Sequence, residues 1–489
     1  MNSGLTDKTA LIGASIFSAL LGIAVYFDFI WFAVFPFLIL LSWWGMKRMD
    51  LFIGVILISV PLSLNLQEFS DTALGLYMPT EPLLFLGLLI FVLRSLKGWP
   101  VDKRLFTHPI SIIVSLMMLW MVITTVTSFD PIVSLKFTIS RAWFVASFFF
   151  FLGHIMLHKP KYRERMVMLM IFPFCIVIVY TLIRHSEFGF DKHSGHWVMK
   201  PFFKDHTSYG AVMAMFLPPA IALLSKRNRP TLTKVMLAIA TGVIALGLVF
   251  SFTRAAWVSL VVVAAIYAAM RLGFKLKTLL GIGVIMLALV WTSKDSIIIE
   301  LQRNKQDSSD NLTEHVESIS NVSSDDSNLE RLNRWSCAIA LFKERPITGW
   351  GPGTYQFVYA PFQKSDLKTI ISTNNADGGN AHSEYLGPLA EQGVLGALFM
   401  ILLIWWASKI GFRLWRNIKN LDDRNLAVSV YLGLMSYFIH GVLNNYLDTD
   451  KANAPFWGFL VLLVVLDIEL KQRNDSRLLK SATQQRRIV

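Results

Sequence analysis

The sequence predicts an all-α polytopic membrane protein, with about 12–14 transmembrane helices and one large, partly helical loop outside the bilayer. Three observations predict it. Of the 489 residues, 54% are hydrophobic and only 16% are charged, where a soluble chain carries about a quarter. The mean hydropathy is +0.51. Uncharged apolar runs long enough to cross a bilayer recur from end to end, separated by polar links.

The first run, near 11–27, is preceded by a single lysine, Lys8, and no small-residue cleavage site follows it. It reads as a retained span and not as a removed signal peptide. Fourteen candidate spans are centred near Phe17, Phe37, Ile58, Leu88, Met118, Phe148, Phe174, Phe216, Gly242, Ala264, Met286, Leu402, Gly433 and Leu463. Their connections alternate in character. One set is basic: 47–50, 94–104, 158–165, 225–234, 271–277, 409–424 and the tail from Lys471. With Lys8 these hold 29 of the 46 Lys and Arg residues. By the positive-inside rule this set, and both termini, face the cytoplasm. The same bias accounts for the net charge of +13 without a nucleic-acid partner. Four polar features then share the outer side: "KPFFKDHTSYG" (200–210), "SFTR" (251–254), the loop from about 294 to 391, and "GVLNNYLDTDKANAPFW" (441–457). The chain divides accordingly into N-terminal spans (1–200), central spans with the SFTR segment (201–293), the outer loop (294–391), C-terminal spans (392–470) and a basic tail (471–489).

Within the loop, residues 303–330 are acidic, Ser/Asn-rich and aromatic-free, the composition of a mobile segment. The sequons at Asn311 and Asn321 are expected there by chance. From Arg331 to Pro346 apolar residues return at helical spacing. "GWGPGTY" (349–355) follows, a glycine-rich turn ending on Tyr355. It is not a dinucleotide fingerprint, because no strand precedes it and the spacing differs; it suits a close approach of backbone to a neighbour. Cys175 lies in an apolar run and Cys337 in the polar loop, so no disulfide joins them, and no metal-ligand spacing is visible.

Several residues carry chemistry. Arg254 opens the run "RAAWVSLVVVAAIYAAM", with Ser251 and Thr253 as N-cap candidates. A cation at a helix N-terminus opposes the dipole unless an anion lies between them; the competing reading is an arginine snorkelling to the interface. Arg331 and Arg334 lie three apart and share a helix face, either to clamp a pyrophosphate or as a solvated face. His382 is suited to act as a neutral general base. If 382–391 is helical, Tyr385, Leu386 and Leu389 share its face while Glu384 and Glu391 lie opposite. Lys204, Asp205 and His206 precede one span; Asn444, Asn445, Asp448 and Asp450 follow another. These, with Tyr355 and Tyr385, are candidate contacts to sugar hydroxyls or phosphate, or an ordinary polar rim.

The ordered set "SFTRAAW" (251–257), "RLNRW" (331–335), "ERPITGWGPGTYQF" (344–357) and "NAHSEYLGPLAEQGVLG" (380–396) resembles the O-antigen ligase and O-antigen polymerase superfamily, over roughly 201–457. The resemblance implies a GT-C-like helical fold in the bacterial inner membrane and a periplasmic active face. The implied reaction transfers a glycan from an undecaprenyl-pyrophosphate carrier, with no cofactor and no metal. The acceptor is lipid A–core in ligases, a second lipid-linked repeat in polymerases and a protein hydroxyl in related oligosaccharyltransferases. By resemblance Arg254 and Arg331 bind the pyrophosphate and His382 activates the acceptor hydroxyl, with Arg334 as a substitute for Arg331. The chain departs from the family pattern at Ser383, often Asn, and at Ala255, usually Gly. A transporter of lipid-linked sugar is the rival class; it would place charged residues inside several spans, whereas these runs are nearly free of charge.

Overall fold

The computed structural model describes residues 35–69, 76–98, 102–292, 326–368, 372 and 379–485. The first expected span and most of the acidic segment, including both sequons, lie outside the described residues. Among those described, fourteen helices of 13 residues or more run in the order α1 Phe35–Lys47, α2 Met49–Leu62, α3 Thr80–Leu96, α4 Pro109–Val126, α5 Pro131–His158, α6 Tyr162–Ser186, α7 His206–Leu224, α8 Thr231–Val249, α9 Arg254–Arg271, α10 Leu276–Thr292, α11 Asp326–Glu344, α12 Leu386–Asn417, α13 Leu421–His440 and α14 Asp450–Gln485. A two-residue antiparallel pairing, Leu64–Asn65 with Tyr77–Met78, is the strand content. The chain is an all-α polytopic membrane protein.

Thirteen of the fourteen expected span centres fall on these helices; only that near Phe17 lies outside the described residues. Eight described helices, α4 to α9, α12 and α14, are long and apolar enough to cross a bilayer. The expected 12–14 was counted from apolar runs, and several of those make shorter helices. The helix α13 misses for a different reason. It opens on Asp422, Asp423 and Arg424, and nearly all of it from Leu426 onward is buried by protein, so it need not be apolar enough for lipid. The helix α14 is the hub, with 94% of its apolar window buried against α5, α7, α12 and α13. The helices α8 and α9 are the least buried spans; Val235, Ile239, Leu246 and Val261 are exposed on them, as lipid-facing surfaces are.

The two ends of the bundle differ. At one, basic links pair with acids: Lys159 with Asp50, Lys226 and Arg229 with Glu164, Arg163 with Glu469, and Arg413, Lys471 and His108 with the fully buried Asp467. At the other, the four polar features expected to share a side meet. Thr253 donates to the His206 carbonyl (2.8 Å), Arg331 Nε to the Leu443 carbonyl (3.3 Å), and Tyr446 N–H to Glu384 Oε1 (2.8 Å).

The loop that precedes α12 has, with the start of that helix, its own small core of Cys337, Ala338, Leu341, Tyr355, Val358, Tyr359, Ala381 and Ala390. Both cysteines are free. The loop is fastened to the bundle at a break in α12. Gly393 there has φ 68° and ψ −163°, which withdraws N–H groups from the carbonyls one turn back. The glycine-rich turn replaces them: Trp350 N–H donates to the Ala390 carbonyl (3.1 Å) and Gly351 N–H to that of Glu391 (2.8 Å). The Trp120 indole takes the Gln392 carbonyl (2.8 Å), and Val394 N–H turns to Pro346 (2.9 Å). A broken helix at membrane depth survives only where neighbours re-satisfy its backbone. Gly351, at φ 114°, sits so close that a Cβ would lie 1.9 Å from Ser128 Oγ. The expected close approach of this turn is therefore to α12 and to the α4–α5 connection.

Candidate functional site

The helix α12 begins at Leu386, so His382 is not helical. It occupies a bend with φ +48°, a left-handed conformation uncommon for a residue with a side chain. Two side chains hold it there: Asn380 Oδ1 accepts the His382 N–H (3.1 Å), and the Trp335 indole donates to its carbonyl (3.3 Å). The expected helical phase with Tyr385, Leu386 and Leu389 is thereby overturned. Tyr385 instead donates its hydroxyl to the Phe438 carbonyl (2.6 Å). The imidazole is half-buried. Burial, reinforced by the charges of Arg331 and Arg334, holds it down at about 3, so it is neutral at physiological pH.

Arg331 and Arg334 share α11 but not a role in packing. Arg334 is 5% exposed. Its Nε pairs with Glu330 Oε1 (2.7 Å), its Nη1 reaches the Asn380 carbonyl (3.4 Å), and its guanidinium stacks over Tyr359 at 4.5 Å. Arg331 is half-buried and reaches Leu443; its charge also acts on His206 and His440. The His206 ring stacks on His196 at 4.2 Å, at the start of α7, where Asp205 caps Ser208 N–H (2.8 Å). Asn444 Nδ2 lies 3.1 Å from His440 Nε2.

Arg254 is the first residue of α9 and is half-buried. Neither hydroxyl before it accepts a bond from the helix: Thr253 stands at the N-cap without a side-chain cap bond and donates to His206, and Ser251 Oγ donates to the Leu248 carbonyl (2.7 Å). Thr253 thus takes the expected N-cap position, without a side-chain cap bond. The first turn keeps N–H groups that no cap side chain takes, next to the His206 segment.

The structure divides the expected residues. Arg331, His382, His206 and Asn444 gather: the charge of Arg331 acts on His382, on His206 and on the His440 that Asn444 contacts, and the Thr253–Arg254 junction lies against His206. A separate cavity of about 530 Å³ is lined by Lys204, Tyr355 and Asn445. Tyr355 donates its hydroxyl to the Arg334 carbonyl (2.8 Å), and its N–H goes to Glu391 Oε1 (3.0 Å). Ala381 and Ser383, which bracket His382, line the cavity too, as do Lys136, Arg141, Glu384, Glu391 and Asp448. Sequence reasoning missed Arg141 and both glutamates. An arginine inside the apolar run of α5 was the available signal, and it also corrects the view of the spans as nearly uncharged. Glu384 Oε1 accepts from the Tyr437 hydroxyl (2.5 Å), Tyr446 N–H (2.8 Å) and Leu447 N–H (2.9 Å); burial still raises its carboxyl above the ordinary range. Among the described residues, no group of three or more His, Cys, Asp or Glu side chains is arranged to hold a metal.

Fold and site together define a polytopic helical membrane protein with a cationic, histidine-bearing polar site at one end of the bundle. Residues 239–401 match the profile of the family described as O-antigen ligase. The match covers about a third of the chain and supports a place in the O-antigen ligase and polymerase superfamily, whose members act in glycan transfer. It contains Arg254, Arg331, Arg334 and His382; Arg141, Lys204, His206, Asn444 and Asn445 fall outside it. No curated protein matches the chain.

Proposed function

We propose that the protein transfers a glycan from undecaprenyl pyrophosphate to an acceptor hydroxyl at the periplasmic face of the bacterial inner membrane, with both termini cytoplasmic. O-antigen ligation to lipid A–core is the leading assignment. The observation that carries the reading is the convergence of Arg331, the neutral His382 and the Thr253–Arg254 helix start around His206. Nucleotide donors are absent from that face, and a pyrophosphate leaving group needs its charge neutralised.

Arg331 and the α9 N-terminus with Arg254 bind the pyrophosphate, a fixed electrostatic field that strengthens as charge develops on the leaving oxygen. His382 accepts the proton of the acceptor hydroxyl. The hydroxyl oxygen forms its bond to the anomeric carbon from the face opposite the carrier. The bond from that carbon to the pyrophosphate oxygen breaks, its electron pair leaves with undecaprenyl pyrophosphate, and the configuration inverts. No metal enters the scheme. Arg334 braces the loop and does not touch the donor.

Replacing the chromosomal gene with an Arg331→Ala form tests this reading. Full-length glycan held on its carrier is the expected result. Single repeat units on the carrier would reassign the protein as a polymerase, glycan lost from protein alone would make it a protein glycosyltransferase, and donor trapped on the cytoplasmic face would make it a transporter.

A further inference from the structure

We infer that the 530 Å³ cavity beside His382 is a carbohydrate subsite, which holds sugar rings next to the reacting bond; the inference rests on the glycan-transfer reading above. The volume falls within the range of small-ligand sites, ~300–1,000 Å³, enough for a few rings and too small for a polymer.

Its lining selects the chemistry. Lys136, Arg141 and Lys204 line it together with Glu384, Glu391 and Asp448, so hydrogen-bond donors and acceptors both face the space. Phe137, Tyr355 and Trp457 supply apolar surface. A ring with many hydroxyls on its edge and C–H groups on its faces suits both.

Polar atoms are available to it. Asn445 Oδ1 has no hydrogen-bond partner among the described residues. Glu384 is only 6% exposed and spends Oε1 on three donors, while its Oε2 has no partner among the described residues. Arg141 uses Nη1 on Asn453 Oδ1 (3.2 Å) and lies over Phe137 at 5.3 Å. Four residues after Arg141, α5 passes through a π-helical stretch, Val145–Phe151, a local rewinding that is frequent at functional sites. Placement favours the same role. The cavity wall is the 380–384 segment that carries His382, and Lys204 joins it to the His206 side. A sugar here lies against Ala381 and Ser383, the neighbours of the base, and its pyrophosphate lies outside the cavity towards Arg331.

The sugar comes either from the donor or from the acceptor, and binding measurements distinguish them. Full-length protein in nanodiscs is titrated with three probes: undecaprenyl pyrophosphate without sugar, the same carrier bearing one N-acetylhexosamine, and the free oligosaccharide released from the cell's own surface glycan. Asp448→Asn and Asn445→Ala are compared with the unaltered protein at matched thermal midpoints. Losing one hydrogen bond to the sugar at these positions costs about two- to tenfold in affinity. A loss confined to the sugar-bearing carrier places the donor sugar in the cavity, and a loss confined to the free oligosaccharide places the acceptor there; either supports the subsite. Unchanged affinity for both in both variants overturns it. Bare undecaprenyl pyrophosphate should bind every cavity variant normally and bind Arg331→Ala weakly. If it fails to bind even the unaltered protein, the transfer reading fails, while oligosaccharide binding that is lost in Asp448→Asn would still support the cavity.

Discussion

Arg331 and Arg334 are three residues apart, yet they should fail in different ways when replaced. Arg334→Ala removes the guanidinium from Glu330, itself only 4% exposed, and leaves Ser372 as a hydrogen-bond partner of that carboxylate. Breaking a buried ion pair from one side costs about 3–5 kcal/mol, and the lost stacking on Tyr359 adds roughly 0.5–2 kcal/mol. The Asn380 carbonyl loses its donor as well, next to the bend that carries His382. Arg334→Ala should therefore unfold the loop or lower the thermal midpoint sharply. Arg331→Ala gives up a 3.3 Å bond to a carbonyl at a half-exposed site, about 1 kcal/mol, and should fold nearly normally. Its expected loss is in donor binding, about 10–100-fold for one or two charge-assisted hydrogen bonds to phosphate. The decisive variant is Arg334→Met with Glu330→Leu, which removes both buried charges and should recover most of the stability and retain transfer. Thermal unfolding in detergent and a lipid-linked donor transfer assay read the two effects. A well-folded double variant that cannot transfer, alongside an Arg331→Ala protein that transfers normally, would refute the assignment.

Further outcomes follow from the same geometry. His382 is held at about 3, whereas in the unfolded chain it titrates near 6.5. Between those values only the unfolded state binds the proton, so stability should fall as pH drops, by up to ~1.4 kcal/mol per pH unit. His382→Gln should flatten the midpoint-against-pH curve there; parallel curves would show that the imidazole is not depressed. Gly351→Ala combines φ 114° with a Cβ 1.9 Å from Ser128 Oγ, and should detach the turn from the α12 break, seen as faster amide exchange at Trp350 and Gly351. Glu384→Ala strips the acceptor from three donors, at ~1–3 kcal/mol each when buried, while Glu384→Gln keeps an acceptor oxygen; equal midpoints for the two would contradict the hydrogen-bond account.

Hydropathy located the helices because each span must bury or face apolar matter along its length, and charge bias foretold which polar links would meet at one end. Among the described residues, eight of these helices are long and apolar enough to cross a bilayer. The helix α13, wrapped by protein, need not be as apolar as a lipid-facing span. The site was legible as residue types but not as geometry. The bend at His382 depends on the Asn380 side chain and the Trp335 indole, and the latter is a contact that only the folded loop creates. The separation of Arg331 from Arg334 depends on burial against Tyr359, which spacing along a helix does not encode. Arg141 was visible as a charge in an apolar run, but its neighbours in the cavity come from five other segments of chain.

The central claim, that His382 takes the acceptor proton during transfer from a lipid pyrophosphate, is tested most directly by His382→Ala in purified form, assayed with lipid-linked donor and acceptor. The account predicts that donor affinity is kept and glycan transfer falls by about 10²–10⁴-fold, the contribution of a positioned base, at an unchanged thermal midpoint. Transfer near the unaltered rate by a folded His382→Ala protein would contradict it.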